Sequence, residues 1–212
     1  MPTFLQMQNS VAARLGDLGF VRHTRALVKA SLNEAYEILC ETTGCYETSL
    51  NVTLTTTPFY NLGTLGDILK VNHIFNSQTG FWLVPRSSGE LDSGYWRWRV
   101  NAGSPDSFVM YGLHQLRLYP KSSTASGTVV VYGTSHAPAL SGDDDVPCFP
   151  DDYHDALEHY AVYDRLIDDG EVEKAMIAYG LYEQEEKQLL TYVSDRGSET
   201  GSFAVGDGGS GL

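Results

Sequence analysis

Two histidines, a run of carboxylates, a pair of tryptophans and three cysteines are the residues of this chain whose types and spacing could do chemistry. In "HDALEH", His154 and His159 invite a metal reading. Five helical steps turn two side chains about 140° apart, whereas zinc-binding pairs sit four apart on one face. Surface or interface histidines beside Asp155 and Glu158 are the better account. "GDDDVPCFPDD" gathers carboxylates as a calcium ion requires, yet it lacks the full Asp-x-Asp-x-Asp-Gly pattern and its distal Glu. An exposed acidic linker that also caps the following helix explains it better. In "GYWRWRV", read as a strand, Trp96 and Trp98 share one face and Arg97 and Arg99 the other. That face would serve as a platform for a sugar ring or a base, but alternation and the usual burial of Trp already explain the pattern as core.

The cysteines carry less. Cys40, Cys45 and Cys148 are odd in number, and the Cys40–Cys45 spacing matches no standard zinc pattern. Three reduced, partly buried thiols of a protein made in a reducing cytoplasm are expected. No phosphate-cradling glycine loop, Gly-x-Ser-x-Gly elbow or Cys/His nucleophile pair occurs. Many carboxylates are present, but sequence alone pairs none of them across a cleft, as glycoside hydrolysis demands. We therefore expect no catalytic residue, no metal and no cofactor.

Helical spacing opens the chain. Phe4, Met7, Val11 and Leu15 mark a helix over 3–16 with Thr3 as N-cap. A second helix runs over 24–42, with Leu27 or Val28, Leu32, Ala35, Tyr36 and Leu39 as its stripe and Gly44 as its stop. The period then switches to two. "SLNVTLTTT", "DILKVNHIFN", "GFWLVPR", "GYWRWRVN", "SFVMYG", "HQLRLYP" and "GTVVVYGTS" are strand candidates separated by turn residues. Five to seven short strands over roughly 48–136 suffice for a small antiparallel sandwich or a bent sheet.

From Asp151 the helical period returns. Asp151 or Asp152 is expected to cap a helix whose inner stripe is Ala156, Leu157, Tyr160, Tyr163 and Ile167. Gly170 ends it, and a last helix buries Val172, Ala175, Met176, Tyr179, Tyr182 and Leu189, with Glu183 and Lys187 paired on its wet side. After Val193 the chain turns glycine-rich.

The fold class is thus α+β: an antiparallel bundle of about four helices, two from each end of the sequence, with an inserted β module. The expected divisions are 1–45, 46–140, 141–193 and a C-terminal arm over 194–212. A chain of 212 residues with 42% hydrophobic residues has material for such a core. Its formal net charge of −13 argues against binding nucleic acid by phosphate neutralisation. No apolar run is long enough to span a bilayer, and "MPTFLQMQNSVAARLGDLGF" has no basic region followed by an apolar block, so no signal peptide is expected.

The order of these features resembles a known family. Two helices precede "NVTLTTTPFYNLG" and "GFWLVPRSSGELDSGYWRWRVNAGSPDSF"; then come "LRLYP", "VVVYG", "DDDVPCFPDDYHDALEHYAVYDRL" and an acidic helical hairpin. Over roughly 3–193 this is similar to the head–tail adaptor, or connector, proteins of tailed bacteriophages. The resemblance implies a non-enzymatic virion subunit of the neck, made in the host cytoplasm. It would form a homo-oligomeric ring, commonly of twelve, between the portal protein and a downstream tail or nozzle protein. Double-stranded DNA would pass through the ring without sticking to its acidic wall, and no membrane is involved.

Two contacts are expected from that setting. Arg97 and Arg99 of one subunit would meet Asp143, Asp144, Asp145, Asp151 and Asp152 of the next. The arm would dock on the portal through Phe203, Val205 and Leu212. A carbohydrate-binding module using Trp96 and Trp98, and a hydrolase using acidic residues of 143–155, are the alternatives from other classes.

Overall fold

The computed structural model describes residues 1–200 apart from Asp67 and Trp96, with the side chains of 197–200 also set aside. In chain order the elements are α1 (Phe4–Arg14), α2 (Arg25–Thr43), β1 (Glu47–Thr53), β2 (Phe59–Asn61), α3 (Leu62–Leu65), β3 (Ile68–Asn76), β4 (Phe81–Trp82), β5 (Val84–Pro85), α4 (Ser88–Gly94), β6 (Ala102–Gly103), β7 (Ser107–Tyr111), β8 (Gln115–Tyr119), β9 (Lys121–Ser122), β10 (Thr128–Ser135), α5 (His154–Asp168) and α6 (Val172–Thr200). They divide into a helical unit of 1–45 with 138–212 and a β unit of 46–137. The fold is mixed α+β.

In the helical unit, Thr3 and Gln6 form a reciprocal capping box that starts α1. The next amide donors of α1 are met from far along the chain: Phe4 N–H donates to the Asp145 carbonyl (2.8 Å) and Leu5 N–H to that of Asp143 (3.0 Å). The acidic linker therefore satisfies groups that a helix start leaves unpaired. Phe4, Met7 and Val11 are wholly buried, as their spacing predicts. Thr24 caps α2, and Gly44 ends it in the left-handed conformation at φ 67°. α5 packs on α1, α2 and α6. Between α5 and α6 four tyrosines interlock, with Tyr160–Tyr182 centroids 5.3 Å apart and Tyr163–Tyr179 4.9 Å apart.

Several expectations shift here. No aspartate side chain caps α5. Pro150 leads into a single 3-10 turn over Asp151–Tyr153, and α5 grows from that turn. The buried face of α5 is Ala156, Leu157, Glu158, Ala161, Val162 and Arg165, whereas Ile167 is exposed and Tyr160 and Tyr163 are half-buried. Polar residues sit inward because each has a partner: Glu158 has Ser10 and Arg14, and Arg165 has Asp164 and Asp168. In α6, Ala175, Ala178, Tyr182 and Leu189 are buried, but Val172 and Met176 are exposed. The helix also runs past Val193 to Thr200, so the first residues assigned to the arm are helical, with Arg196 reaching back to Tyr192 (3.0 Å).

The β unit holds two four-stranded sheets, β1-β10-β3-β4 and β2-β8-β7-β5, and the two-stranded pair β6-β9. β10 is central to the first sheet. It meets β1 with Leu50 opposite Val131 and β3 with Ile74 opposite Val131. Val52, Ile74, Val129 and Val131 from this sheet and Tyr60, Phe108, Leu116 and Leu118 from the other contribute to one core. Each such aliphatic side chain contributes about 1.5–3 kcal/mol by leaving water. Gly133 lies at a register shift where β10 approaches β3 so closely that a Cβ would strike the Lys70 carbonyl.

"GYWRWRVN" is not a strand. Ser87 and Glu90 form a second capping box that starts α4, and a turn with Arg97 at φ 61° follows. The turn lets Trp98 drop into a small second core with Leu91, Val109 and Tyr119.

Candidate functional site

One surface of the β unit is a cluster of aromatic rings. β3 pairs with β4 so that Phe75 lies opposite Trp82, and with β10 so that His73 lies opposite Tyr132. Strand alternation turns Ile74, Val129 and Val131 into the core and these four rings outward. Trp82 gathers them, with centroids 5.2 Å from Phe75, 5.6 Å from Tyr132 and 5.9 Å from His73. Trp82 remains 58% exposed and its neighbour Phe81 72%. Rings locked against one another lose little freedom on meeting a partner, and exposed apolar groups of this size mark contact surfaces. β4 ends its sheet, so its outer edge also offers backbone groups.

The helical unit has its own apolar surface. Val172, Met176, Ile177, Leu181 and Leu190 of α6 are exposed, while Ala175, Ala178, Tyr182 and Leu189 hold the helix to its neighbours. Exposed apolar side chains grouped on one helix make a candidate contact surface.

The helical unit also holds a polar cluster drawn from α1, α5 and α6. Arg14 meets Glu158 (2.9 Å) and Asp155 (3.1 Å), and Ser10 donates to Glu158. Glu185 lies 3.4 Å from His159 Nδ1, in ion-pair reach without an aligned hydrogen bond. Burial, then the nearby Asp155 charge, pushes the Glu185 carboxyl up to about 7. Burial also raises Glu158 against the pull of Ser10 and Arg14, and burial together with the Arg14 charge lowers His159. The arrangement neutralises buried charge within the unit.

The residues singled out in the sequence fall as follows. Trp98 is buried; its Nε1–H donates to Asp92 (2.7 Å) and the Arg117 guanidinium lies 4.2 Å from its ring centroid. It presents no open platform, and Trp96 lies outside the described residues. Arg99 pairs with Asp92 at 2.9 Å. Asp143 receives Lys29 (3.0 Å), and Asp145 accepts the Ser141 and Gly142 amides at 2.7 Å each, which holds its carboxyl below the usual range. Asp151 lies 3.7 Å from the N-terminal amine, and Asp144 and Asp152 are exposed. These carboxylates do not converge on one point.

His154 is buried, its Nε2–H donating to the Phe149 carbonyl (3.0 Å), and burial lowers its pKa. It and His159 thus turn to different neighbours. Phe203, Val205 and Leu212 lie outside the described residues. Sequence reasoning missed the aromatic face, although "HIF" and "GFW" across one turn carried its signal.

The helical unit and the inserted β unit each expose apolar side chains, as a protein that contacts others would. The family model described as SU10 adaptor protein matches residues 2–205. The chain belongs to the SU10 adaptor protein family, and the resemblance to phage head–tail adaptors holds along nearly its whole length. Among curated proteins none matches it.

Proposed function

We propose that this chain is a non-enzymatic head–tail adaptor subunit of a virion, assembled as a ring of twelve between portal and tail and lining the passage for DNA. The observation that carries the reading is the adaptor family match over residues 2–205. The aromatic face around Trp82 and the outer side of α6 supply the contact surface such a subunit needs. A formal charge of −13 on each copy gives the ring a wall that repels DNA and favours sliding. No described helix is long and apolar enough to cross a membrane.

Between neighbours, Arg97 and Arg99 would face the acidic segments 143–145 and 151–152. Arg99 and Asp143 already have partners at home, so Asp144 and Asp152 are the carboxylates most open to a neighbour. Such rim pairs set register and weaken with salt. Beyond Thr200, the arm with Phe203, Val205 and Leu212 would dock on the portal. A glycan module has no exposed Trp98 to work with, and a hydrolase using the acidic residues of 143–155 would find Asp145 tied to the Ser141 and Gly142 amides and Asp143 to Lys29.

The test is the mass of particles formed on mixing the full chain with candidate portal assemblies, read by native mass spectrometry and electron microscopy. A defined ring of added mass is expected. A chain that stays monomeric beside every portal overturns the reading.

A further inference from the structure

Three thiols that lie far apart in the sequence meet in the helical unit. Cys40 is on the last turn of α2, Cys45 follows the left-handed Gly44, and Cys148 arrives on the segment before α5. Cys40 Sγ is 3.5 Å from Cys45 Sγ and 3.8 Å from Cys148 Sγ, and all three sulfurs lie within 4.8 Å of one another. A tetrahedral zinc–thiolate centre with Zn–S of about 2.3 Å sets its sulfurs about 3.8 Å apart. The three are therefore spaced as ligands of one ion need to be, before any ion arrives.

The backbone holds them there. The Gly44 amide donates to the Cys40 carbonyl (2.9 Å), and its φ of 67° folds the chain back so that Cys45 returns over the end of α2. That conformation is costly for any residue with a Cβ. From the other side, Cys148 N–H donates to Tyr36 Oη (3.1 Å), and the next residue, Phe149, packs its ring 5.9 Å from Tyr36. Cys40 is buried, Cys45 half-buried and Cys148 exposed, so the cluster is closed at its base and open at one side. An ion can enter there, and water can fill a fourth position.

We propose that Cys40, Cys45 and Cys148 form a binding site for a thiophilic d¹⁰ metal ion of the zinc(II) class. Three sulfur ligands select such ions over calcium or magnesium. Binding replaces the three thiol protons with one divalent cation, so protons are released to solvent. A disulfide is the competing use of the same groups. It would join only two of the sulfurs, at about 2.05 Å, and strand the third. Cys40 is near both partners and commits to neither, as expected where all three point at one centre.

The site would fasten the end of α2 to the segment that leads into α5, the two places where the chain leaves and re-enters the helical unit. This follows from the thiol geometry alone and does not depend on the adaptor role.

The test uses the full chain, reduced, freed of metal with a chelator and kept without oxygen. Zinc(II) alone is titrated against a colorimetric chelator, and cadmium(II) is added to report thiolate bonding through its charge-transfer absorption. One ion per chain with a thiolate–cadmium band is expected. Cys40→Ser, Cys45→Ser and Cys148→Ser should each weaken binding by about a hundredfold or more. Cys148 is exposed, so Cys148→Ser leaves the fold intact and keeps the test sound if the buried Cys40→Ser chain misfolds. Undiminished binding in Cys148→Ser, absence of the cadmium band, or a disulfide between two of the three with no metal uptake after reduction would each overturn the proposal.

Discussion

Replacing Glu185 with Gln should stabilise the helical unit at neutral pH and leave it unchanged in acid. Glu185 is half-buried, one of its oxygens has no hydrogen-bond partner among the described groups, and its nearest charged neighbours include Asp155 and Glu158 as well as Arg14. Burial is the main reason its carboxyl titrates near 7 rather than 4.5. Between those pH values the folded state keeps a proton that the unfolded state has released, so folding stability falls as pH rises through the window. Above pH 7 the penalty is on the order of 1–2 kcal/mol, the shift being discounted for the solvent that reaches this half-buried group.

His159 works in the opposite sense. Its pKa is lowered from 6.5 by burial and then by Arg14, so its contribution is lost as pH falls below 6.5. Comparing the wild-type chain with Glu185→Gln at each pH removes most of that background. Thermal unfolding followed by the helical circular-dichroism signal should show the variant melting about 2–8 °C higher near pH 8, with the two curves converging near pH 4. A constant offset across the whole range, or a variant less stable at pH 8, would refute the claim that a buried carboxylate is held against its preference.

Three further outcomes are expected. Trp98→Ala should cost about 3–5 kcal/mol in denaturant titrations, because it empties the Leu91–Val109–Tyr119 core and removes the indole's hydrogen bond to Asp92 and its contact with Arg117; Trp98→Phe should cost only about 1–2 kcal/mol. Gly133→Ala should destabilise by about 1–3 kcal/mol, with faster amide exchange in β3 and β10, since its Cβ has no room beside Lys70. Ending the chain after Thr200 should leave the melting temperature unchanged and abolish retention on portal particles; the reverse pattern would mean that the arm packs at home.

What the sequence disclosed depended on whether local signals agreed with tertiary demands. α1 and α2 were legible because Thr3, Thr24 and Gly44 punctuate clean apolar stripes. α5 misled because Glu158 and Arg165 are buried with partners, one of them on another helix, and a hydrophobicity pattern counts both as outward. The "WRWR" alternation imitated a strand, yet the capping box at Ser87 and Glu90 begins a helix and the turn after it carries Trp98 inward. That "SSGE" signal was present and outweighed by the aromatics. The thiol cluster was beyond reach, since only the fold brings Cys148 to Cys40. The aromatic face needed the register of three strands, which alternation within each strand does not supply.

The pairing of β1 with β10 has a bearing on how the helices find each other. Glu47 lies opposite Thr134, and Ser135 N–H donates to the Tyr46 carbonyl at 3.1 Å, so the inserted unit begins and ends at one spot. Before that unit folds, α2 can reach α5 only by closing a loop that contains every strand among the described residues, with the entropy that entails. Once its first and last strands are zipped together, the same closure is no harder than making a hairpin. Closing either contact, β1 on β10 or α2 on α5, therefore shortens the loop that the other must close.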